Sequence, residues 1–254
     1  MTNKQGEFIW YELMTSDIDA ARGFYQAVVG WKIGAKSGMP GMDYRMVDAP
    51  DASVAGMMQI DAEMASNGAT PVWLGYIGVD DVDACAKAIK DAGGHIHVPP
   101  TDIPDVGRFA MAADPQGAPF YVMRGSVEGT STAFAPEKLG HCAWNELWTS
   151  DQDGAHTFYA KLFGWKQDGV MPMGEMGGYC FLYLDETRFG ATGRTKDQPH
   201  WLPYFTVPSI KKAAAAVTTN GGTVTNGPHE VPGGGHVIMG KDPQGAQFAL
   251  VADQ

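Results

Sequence analysis

The sequence has few of the features that mark secreted, membrane-spanning or nucleic-acid-binding proteins. It contains three cysteines and no CxxC pair, so we expect reduced thiols in a cytoplasm, structural in role, with a catalytic cysteine as the alternative. No run of about 18 apolar residues occurs and the opening residues carry no apolar segment, so we expect neither a membrane span nor a signal peptide. Lysine and arginine do not cluster and the formal charge is −11. We therefore expect neither nucleic acid nor an anionic membrane as partner, because both bind basic surfaces.

The composition is that of a globular protein long enough to form two cores. Hydrophobic residues make up 44% and charged residues 19% of the 254 positions, which excludes the disordered and fibrous classes. This length suits one large domain or two of about 125 residues each.

One long phrase occurs twice. Residues 10–32 read WYELMTSDIDAARGFYQAVVGWK, and residues 144–166 read WNELWTSDQDGAHTFYAKLFGWK. Each copy opens with the alternating pattern of a strand, continues through Thr-Ser-Asp, which favours a helix N-cap, and reaches a glycine where a helix C-terminus is expected. The phrase therefore predicts a strand followed by a helix.

A second, fainter repeat joins residues 73–94 to residues 201–222, and both copies lead to a DPQG turn, at 114–117 and 242–245. With the short β-like segments between them, these repeats predict four βαβββ modules of about 60 residues each. Ser, Thr, Gly and Pro enrich residues 125–138, which predicts a linker between a first domain at 1–124 and a second at 139–254.

This arrangement resembles the vicinal oxygen chelate superfamily, which includes glyoxalase I, the bleomycin-resistance proteins and the extradiol dioxygenases. The resemblance rests on SDIDAARGFYQAVVGW, on VDDVDACAKAIKDAGG and on the DPQG turn, each with a counterpart in the second half. It implies an α+β fold in which the four modules form two glyoxalase-like open barrels, each around a cavity. It also implies a divalent metal held by His, Glu or Gln side chains.

The positions that such relatives use for metal ligands hold other residues in this chain. They are Trp10 and Trp144 on the first strands, Leu74 and Leu202 on the strands that open the second modules, and Tyr121 and Ala249 on the last strands. Divalent ions need several convergent lone-pair donors, and only Gln59 on the remaining strand could coordinate. We therefore predict no metal ligand and no cofactor, although the resemblance keeps a divalent metal open.

Two glutamates are the candidate catalytic residues. Glu12 and Glu146 lie two positions beyond Trp10 and Trp144, so strand alternation places each on the face of its tryptophan. If that face looks into a cavity, each carboxylate could act as a general acid or base. Alternatively, each glutamate has a structural role, hydrogen-bonded to the backbone or paired with Arg45 or Arg188.

The strand register also predicts aromatic walls for the two cavities. The candidate ligand-binding residues are Trp10, Tyr76 and Tyr121 for one cavity and Trp144, Trp148 and Tyr204 for the other. Filling of the barrels by bulky side chains is the alternative. Trp31 and Trp165, which follow the helix-ending glycines, are predicted to be core residues.

We therefore expect a cytoplasmic monomer or homodimer that binds a small organic molecule without a metal. The alternative is an enzyme of the same superfamily. It would be a metal-free lyase or isomerase that uses Glu12 or Glu146, or a glyoxalase or dioxygenase whose metal ligands are elsewhere.

Overall fold

The computed structural model describes residues 3–36, 41–232 and 234–253. Within these residues the chain forms sixteen strands and five α-helices, in the order that the sequence predicts for four βαβββ modules. The predicted α+β class is confirmed.

The first half contains two modules. The first comprises β1 (Phe8–Thr15), α1 (Ile18–Val28), β2 (Lys32–Ile33), β3 (Tyr44–Asp48) and β4 (Ser53–Gln59), followed by the short helix α2 (Ala62–Ser66). The second comprises β5 (Val72–Gly78), α3 (Val82–Asp91), β6 (His95–Ile103), β7 (Gly107–Ala113) and β8 (Pro119–Gly125).

The second half repeats this plan. The third module comprises β9 (Cys142–Thr149), α4 (Gln152–Phe163), β10 (Lys166–Pro172), β11 (Gly178–Leu184) and β12 (Thr187–Arg194). The fourth comprises β13 (His200–Thr206), α5 (Ile210–Thr219), β14 (Thr223–Glu230), β15 (His236–Lys241) and β16 (Gln247–Ala252). None of the helices in the described residues is long and apolar enough to cross a membrane.

The strands form two eight-stranded mixed sheets, one from each half. Their orders are β2-β3-β4-β1-β5-β8-β7-β6 and β10-β11-β12-β9-β13-β16-β15-β14. The first strand of each module pairs in parallel with its last, as β1 does with β4 and β9 with β12, and the remaining pairs inside a module are antiparallel.

Local chemistry accounts for the ends of the repeated helices. Asp17 and Asp151 are the N-caps of α1 and α4, and each side chain accepts a hydrogen bond from the amide three residues later. Gly30 and Gly164 follow these helices with φ angles of +87° and +72°, a conformation that glycine adopts at little cost.

Contacts divide the chain into two compact units. The first unit consists of Met1–Ile9, Gly75–Ser131 and Asn145–Leu202. The second unit consists of Trp10–Leu74, Thr132–Trp144 and Pro203–Gln254. The division into sequential domains at 1–124 and 139–254, with a linker at 125–138, stays a prediction.

A tyrosine with two hydrogen bonds lies at the centre of the second unit. The Tyr25 hydroxyl accepts a 2.8 Å hydrogen bond from Trp73 Nε1 and donates a 3.1 Å hydrogen bond to Asp242 Oδ2. The other oxygen of Asp242 accepts from the amides of Gln244 and Ala246 in the DPQG turn. Burial, and then the charge of Asp242, raise the pKa of Tyr25 well above its usual range. The phenol therefore stays neutral and keeps its proton for the carboxylate.

The first unit contains the same arrangement built from the other copies. Tyr159 accepts from Trp201 Nε1 at 3.0 Å and donates to Asp114 Oδ2 at 3.1 Å. Trp165 stacks on the Tyr159 ring with centroids 5.0 Å apart. Trp31 and Trp165 are 2% and 3% exposed, which confirms the prediction that both are core residues.

Replacement of either central tyrosine by phenylalanine should destabilise the protein. Tyr25→Phe and Tyr159→Phe each leave a buried indole N–H and a buried carboxylate oxygen without their shared partner, which costs about 1–3 kcal/mol. Tyr183→Phe is the matched control, since Tyr183 on β11 is only half-buried. The measurement is urea unfolding of the three variants. Equal midpoints for all three would contradict this account of the core.

Candidate functional site

The two candidate glutamates lie in the middle strands of the two sheets. Glu12 on β1 and Glu146 on β9 are each 2% exposed. Glu12 pairs with Gly56 on β4, and Glu146 pairs with Ala191 on β12 at the equivalent position of the other sheet. Glu12 belongs to the second unit and Glu146 to the first. A carboxylate this deeply buried is stable only with hydrogen-bond partners.

In the second unit the partner of Glu12 is a tyrosine from the third strand. The Tyr44 hydroxyl on β3 hydrogen-bonds the Glu12 carboxylate and accepts a 3.0 Å hydrogen bond from Trp10 Nε1. Burial is the main cause, and the charge of Glu12 the second, of a strong rise in the pKa of Tyr44. Its phenol therefore remains protonated and donates to the carboxylate. We refer to Trp10, Glu12 and Tyr44 as the first glutamate cluster.

In the first unit both oxygens of Glu146 accept hydrogen bonds. Tyr179 Oη donates to Oε1 at 2.6 Å, and Trp148 Nε1 donates to Oε2 at 2.7 Å. Tyr179 lies on β11, which occupies the same place in its sheet as β3 does in the other. We refer to Glu146, Trp148 and Tyr179 as the second glutamate cluster.

The arginine predicted beside Glu12 is elsewhere, so that part of the structural alternative was wrong. Arg45 donates to Asp43 at 2.8 Å and to Asp19 at 2.6 Å. These carboxylates take the guanidinium because Asp43 is two residues away and Asp19 lies in the first turn of α1. Arg188, the other predicted partner, has its guanidinium carbon 5.0 Å from the centroid of the Phe181 ring.

Tyr44 and Tyr179 were not among the residues predicted from the sequence. One signal could have found them, because the third β-segment of the first module and that of the third module each carry a tyrosine near the start. Strand alternation alone does not show that the tyrosine side chain extends across the adjacent strand to contact a residue on the strand beyond it.

Two of the aromatic candidates form a stacked pair. Tyr76 on β5 and Tyr121 on β8 are direct neighbours on parallel strands, and their rings stack with centroids 4.2 Å apart and 15° between planes. In the fourth module Tyr204 on β13 has the same register but lies beside Ala249, so this stack has no counterpart there. Trp144 on β9 is half-buried. The lining of two cavities by these side chains stays a prediction.

The donors present do not fit a divalent metal centre. Among residues 3–36, 41–232 and 234–253 no group of three or more His, Cys, Asp or Glu side chains lies close enough together to hold a metal ion. Glu12 accepts from the Tyr44 phenol, and Glu146 accepts from the Tyr179 phenol and the Trp148 indole, so the groups around each carboxylate act as hydrogen-bond donors to it. We therefore assign no chemical step to a metal.

Comparison with known proteins agrees with this fold. A family model described as Glyoxalase/Bleomycin resistance protein/Dioxygenase superfamily matches residues 8–122 and 138–250. This chain belongs to that superfamily. A protein of Mycobacterium tuberculosis named "Putative glyoxylase CFP32" is 31% identical over 98% of this chain and 95% of its own length. The anthracycline biosynthesis protein DnrV of Streptomyces peucetius is 30% identical over 95% of this chain and 91% of its own length.

Solved structures of the superfamily share the fold. The Mn(II)-bound glyoxalase from Novosphingobium aromaticivorans matches with a TM-score of 0.68 at 18% identity, covering 98% of this chain and 83% of that one. The 2,3-dioxygenase LapB from Pseudomonas sp. KL28 matches with a TM-score of 0.67 at 13% identity, covering 99% and 93%. At these identities the likeness concerns the fold alone.

Two of the three cysteines of this superfamily member are poor candidates for a nucleophile. Burial raises the pKa of Cys85 to about 12 and that of Cys142 to about 12. The reactive form of cysteine is the thiolate, so both side chains are inert near neutral pH. Cys180 on β11 is half-buried.

Alkylation should therefore distinguish the three thiols. With iodoacetamide at pH 8, the native protein should be modified at Cys180 first, while Cys85 and Cys142 react only after denaturation. Peptide mass spectrometry of a time course measures each site separately. Rapid modification of Cys85 or Cys142 in the folded protein would contradict the burial described above.

Proposed function

We propose that this protein binds a small, flat and largely apolar organic molecule without a metal, and that Glu12 and Glu146 are the polar anchors for it. The observation that carries the proposal is the glutamate cluster, which occurs in both halves with the carboxylate held by a tyrosine from the third strand. Each cluster lies on the strand where related proteins place a metal ligand. A carboxylate in that place would bind a hydroxyl or amine of the ligand directly.

Preorganisation supports this role. A carboxylate accepts strong, charge-assisted hydrogen bonds. In the second cluster, bonds of 2.6 and 2.7 Å from Tyr179 and Trp148 fix Glu146 before any ligand arrives. Fixed partners reduce the ordering cost of binding, which improves affinity. Aromatic groups beside the carboxylate favour a ligand with a π-surface.

The names of two relatives suggest the chemical class of ligand to try first. The Streptomyces proteins are named for anthracycline biosynthesis. Anthracyclines are flat polycyclic molecules with phenolic hydroxyl groups, so they offer both the π-surface and the donors that a glutamate cluster would recognise. An anthracycline is therefore the first probe.

Thermal unfolding with and without an anthracycline tests the proposal. The native protein should be stabilised by the probe, by about 2.7 kcal/mol at a hundred times Kd, and EDTA should leave this stabilisation unchanged. Glu12→Gln and Glu146→Gln should each weaken it, because the neutral amide loses the charge-assisted bond. Glu186→Gln, at an exposed turn position, is the matched control and should bind as the native protein does. Stabilisation abolished by EDTA, or unchanged in both cluster variants, would overturn the proposal.

A metal-free lyase or isomerase is the second candidate function. The 2.6 Å hydrogen bond between Tyr179 and Glu146 favours it, since a carboxylate that faces a phenol at this distance can exchange a proton with it. As an isomerase it would take a proton from a carbon next to a carbonyl group and return it to another carbon, and as a lyase it would take that proton while the adjacent carbon releases a leaving group and a double bond forms. Turnover that survives EDTA but is lost in Glu146→Gln would support this candidate. Turnover that depends on added metal would exclude it.

A further inference from the structure

The two glutamate clusters differ in how their aromatic rings cross the sheet. Tyr44 on β3 and Glu12 on β1 lie on either side of β4, so their side chains meet over that strand. Neighbouring strands are about 4.8 Å apart, and two of these steps separate the tyrosine from the glutamate. A side chain on β4 at the crossing point would stand between them.

Glycine occupies that crossing point. Gly56 on β4 is the direct neighbour of Glu12. A Cβ built on Gly56 would overlap the Tyr44 hydroxyl, and the three atoms nearest to it all belong to the Tyr44 ring or hydroxyl. Gly56 does not have a positive φ angle, so the backbone does not require glycine there. The requirement is the space that the phenol occupies.

In the second cluster the glycine lies on β12, two positions beyond the residue that neighbours the glutamate. The ring that lies over it is the indole of Trp148. Gly193 on β12 is the direct neighbour of Trp148, and a Cβ built on it would lie 2.6 Å from Trp148 Cζ3. The nearest atoms again all belong to this one side chain, and Gly193 also lacks a positive φ. The indole thus lies over β12 while its N–H points at Glu146.

The other sheet shows that a side chain can stand at each position when the rings follow another path, since the Tyr179 phenol reaches Glu146 from across β12 although Ala191 lies beside Glu146. The register of the two sheets makes Ala191 the counterpart of Gly56 and Met58 the counterpart of Gly193. A side chain is therefore compatible with the strand at both places. The fold of the strand therefore does not require glycine at either position. Each glycine instead leaves space for the ring of its own cluster.

We infer that Gly56 and Gly193 are positioning residues that give the two glutamate sites different shapes, by admitting the Tyr44 ring over β4 in one and the Trp148 ring over β12 in the other. The inference rests on the proposed function, because the two shapes matter to ligands only if both glutamates anchor them. Each cluster holds one phenol and one indole, but the ring that lies over the neighbouring glycine differs between the two. The two sites would therefore present the same donor groups to ligands of the flat class in different places.

Gly56→Ala and Gly193→Ala test the inference, and each is the matched control for the other. With tyrosine labelled at 13Cζ, the Tyr44 resonance is identified by its loss in Tyr44→Phe. In the native protein it should not titrate before base unfolding. In Gly56→Ala it should titrate near pH 10, as a free tyrosine does. The indole 1H–15N resonance of Trp148, identified by its loss in Trp148→Phe, should exchange with solvent at least tenfold faster in Gly193→Ala only.

A double-mutant comparison keeps the test decisive if either alanine variant is unstable. Gly56→Ala should lower Tm in the native background but not in Tyr44→Ala, and Gly193→Ala should lower Tm in the native background but not in Trp148→Ala. Glycine weakens a strand interior, so with the ring removed the alanine should be neutral or favourable. Additive losses in both pairs, unchanged ring resonances, or disturbance of both rings by each variant would overturn the inference. Failure of the native protein to bind an anthracycline would count against the proposed function alone.

Discussion

A tyrosine hydroxyl placed between an indole N–H and a buried carboxylate recurs through the described part of this chain. Tyr25 joins Trp73 to Asp242, Tyr159 joins Trp201 to Asp114, and Tyr44 joins Trp10 to Glu12. Burial of an isolated carboxylate costs several kcal/mol, and a phenol that is itself hydrogen-bonded provides a partner in a fixed place. The packing of each unit depends on these hydrogen bonds, because the carboxylates cannot be exposed without opening the core.

The repeated segments at residues 10–32 and 144–166 contribute to these hydrogen bonds. Their Phe-Tyr pairs supply the central tyrosine of each unit, and the DPQG turn supplies the aspartate. One oxygen of that aspartate holds two amides of its own turn while the other accepts from the tyrosine. The turn is thus a buried anchor as well as a reversal of the chain. Burial raises the pKa of Asp114 and of Asp242, which agrees with their exposed fractions of 1% and 4%.

Patterns within a few residues were enough to predict the modules, the helix caps and the burial of Trp31 and Trp165. The pairing of Tyr25 with Asp242 was not predictable in the same way, because 217 positions separate the two residues. Tyr44 was missed for a related reason. The contact of Tyr44 with Glu12 depends on how β3, β4 and β1 are aligned and on the small size of Gly56 on β4 between them. The alternation of side chains along one strand predicts neither. Arg45 was one of several partners considered for the glutamates, and it pairs instead with Asp43, two residues away, and with Asp19.

The proposed function depends on the residues predicted at the superfamily's metal-ligand positions in this chain. The resemblance predicts indole, phenol and aliphatic side chains where relatives place metal ligands, and the glutamates nearby accept hydrogen bonds, Glu12 from a phenol and Glu146 from a phenol and an indole N–H. Under the proposed function, such donors would hold a carboxylate in place for an organic ligand without a cation. The second cluster, with both oxygens of Glu146 bonded at 2.6 and 2.7 Å, is the clearest case.

Elemental analysis of the purified protein, isolated without chelators and then dialysed, tests this account most directly. The account predicts far less than one equivalent of manganese, iron, zinc, nickel or cobalt per chain, with unchanged thermal stability after treatment with EDTA. One or two ions per chain, accompanied by a loss of stability when they are removed, would contradict it.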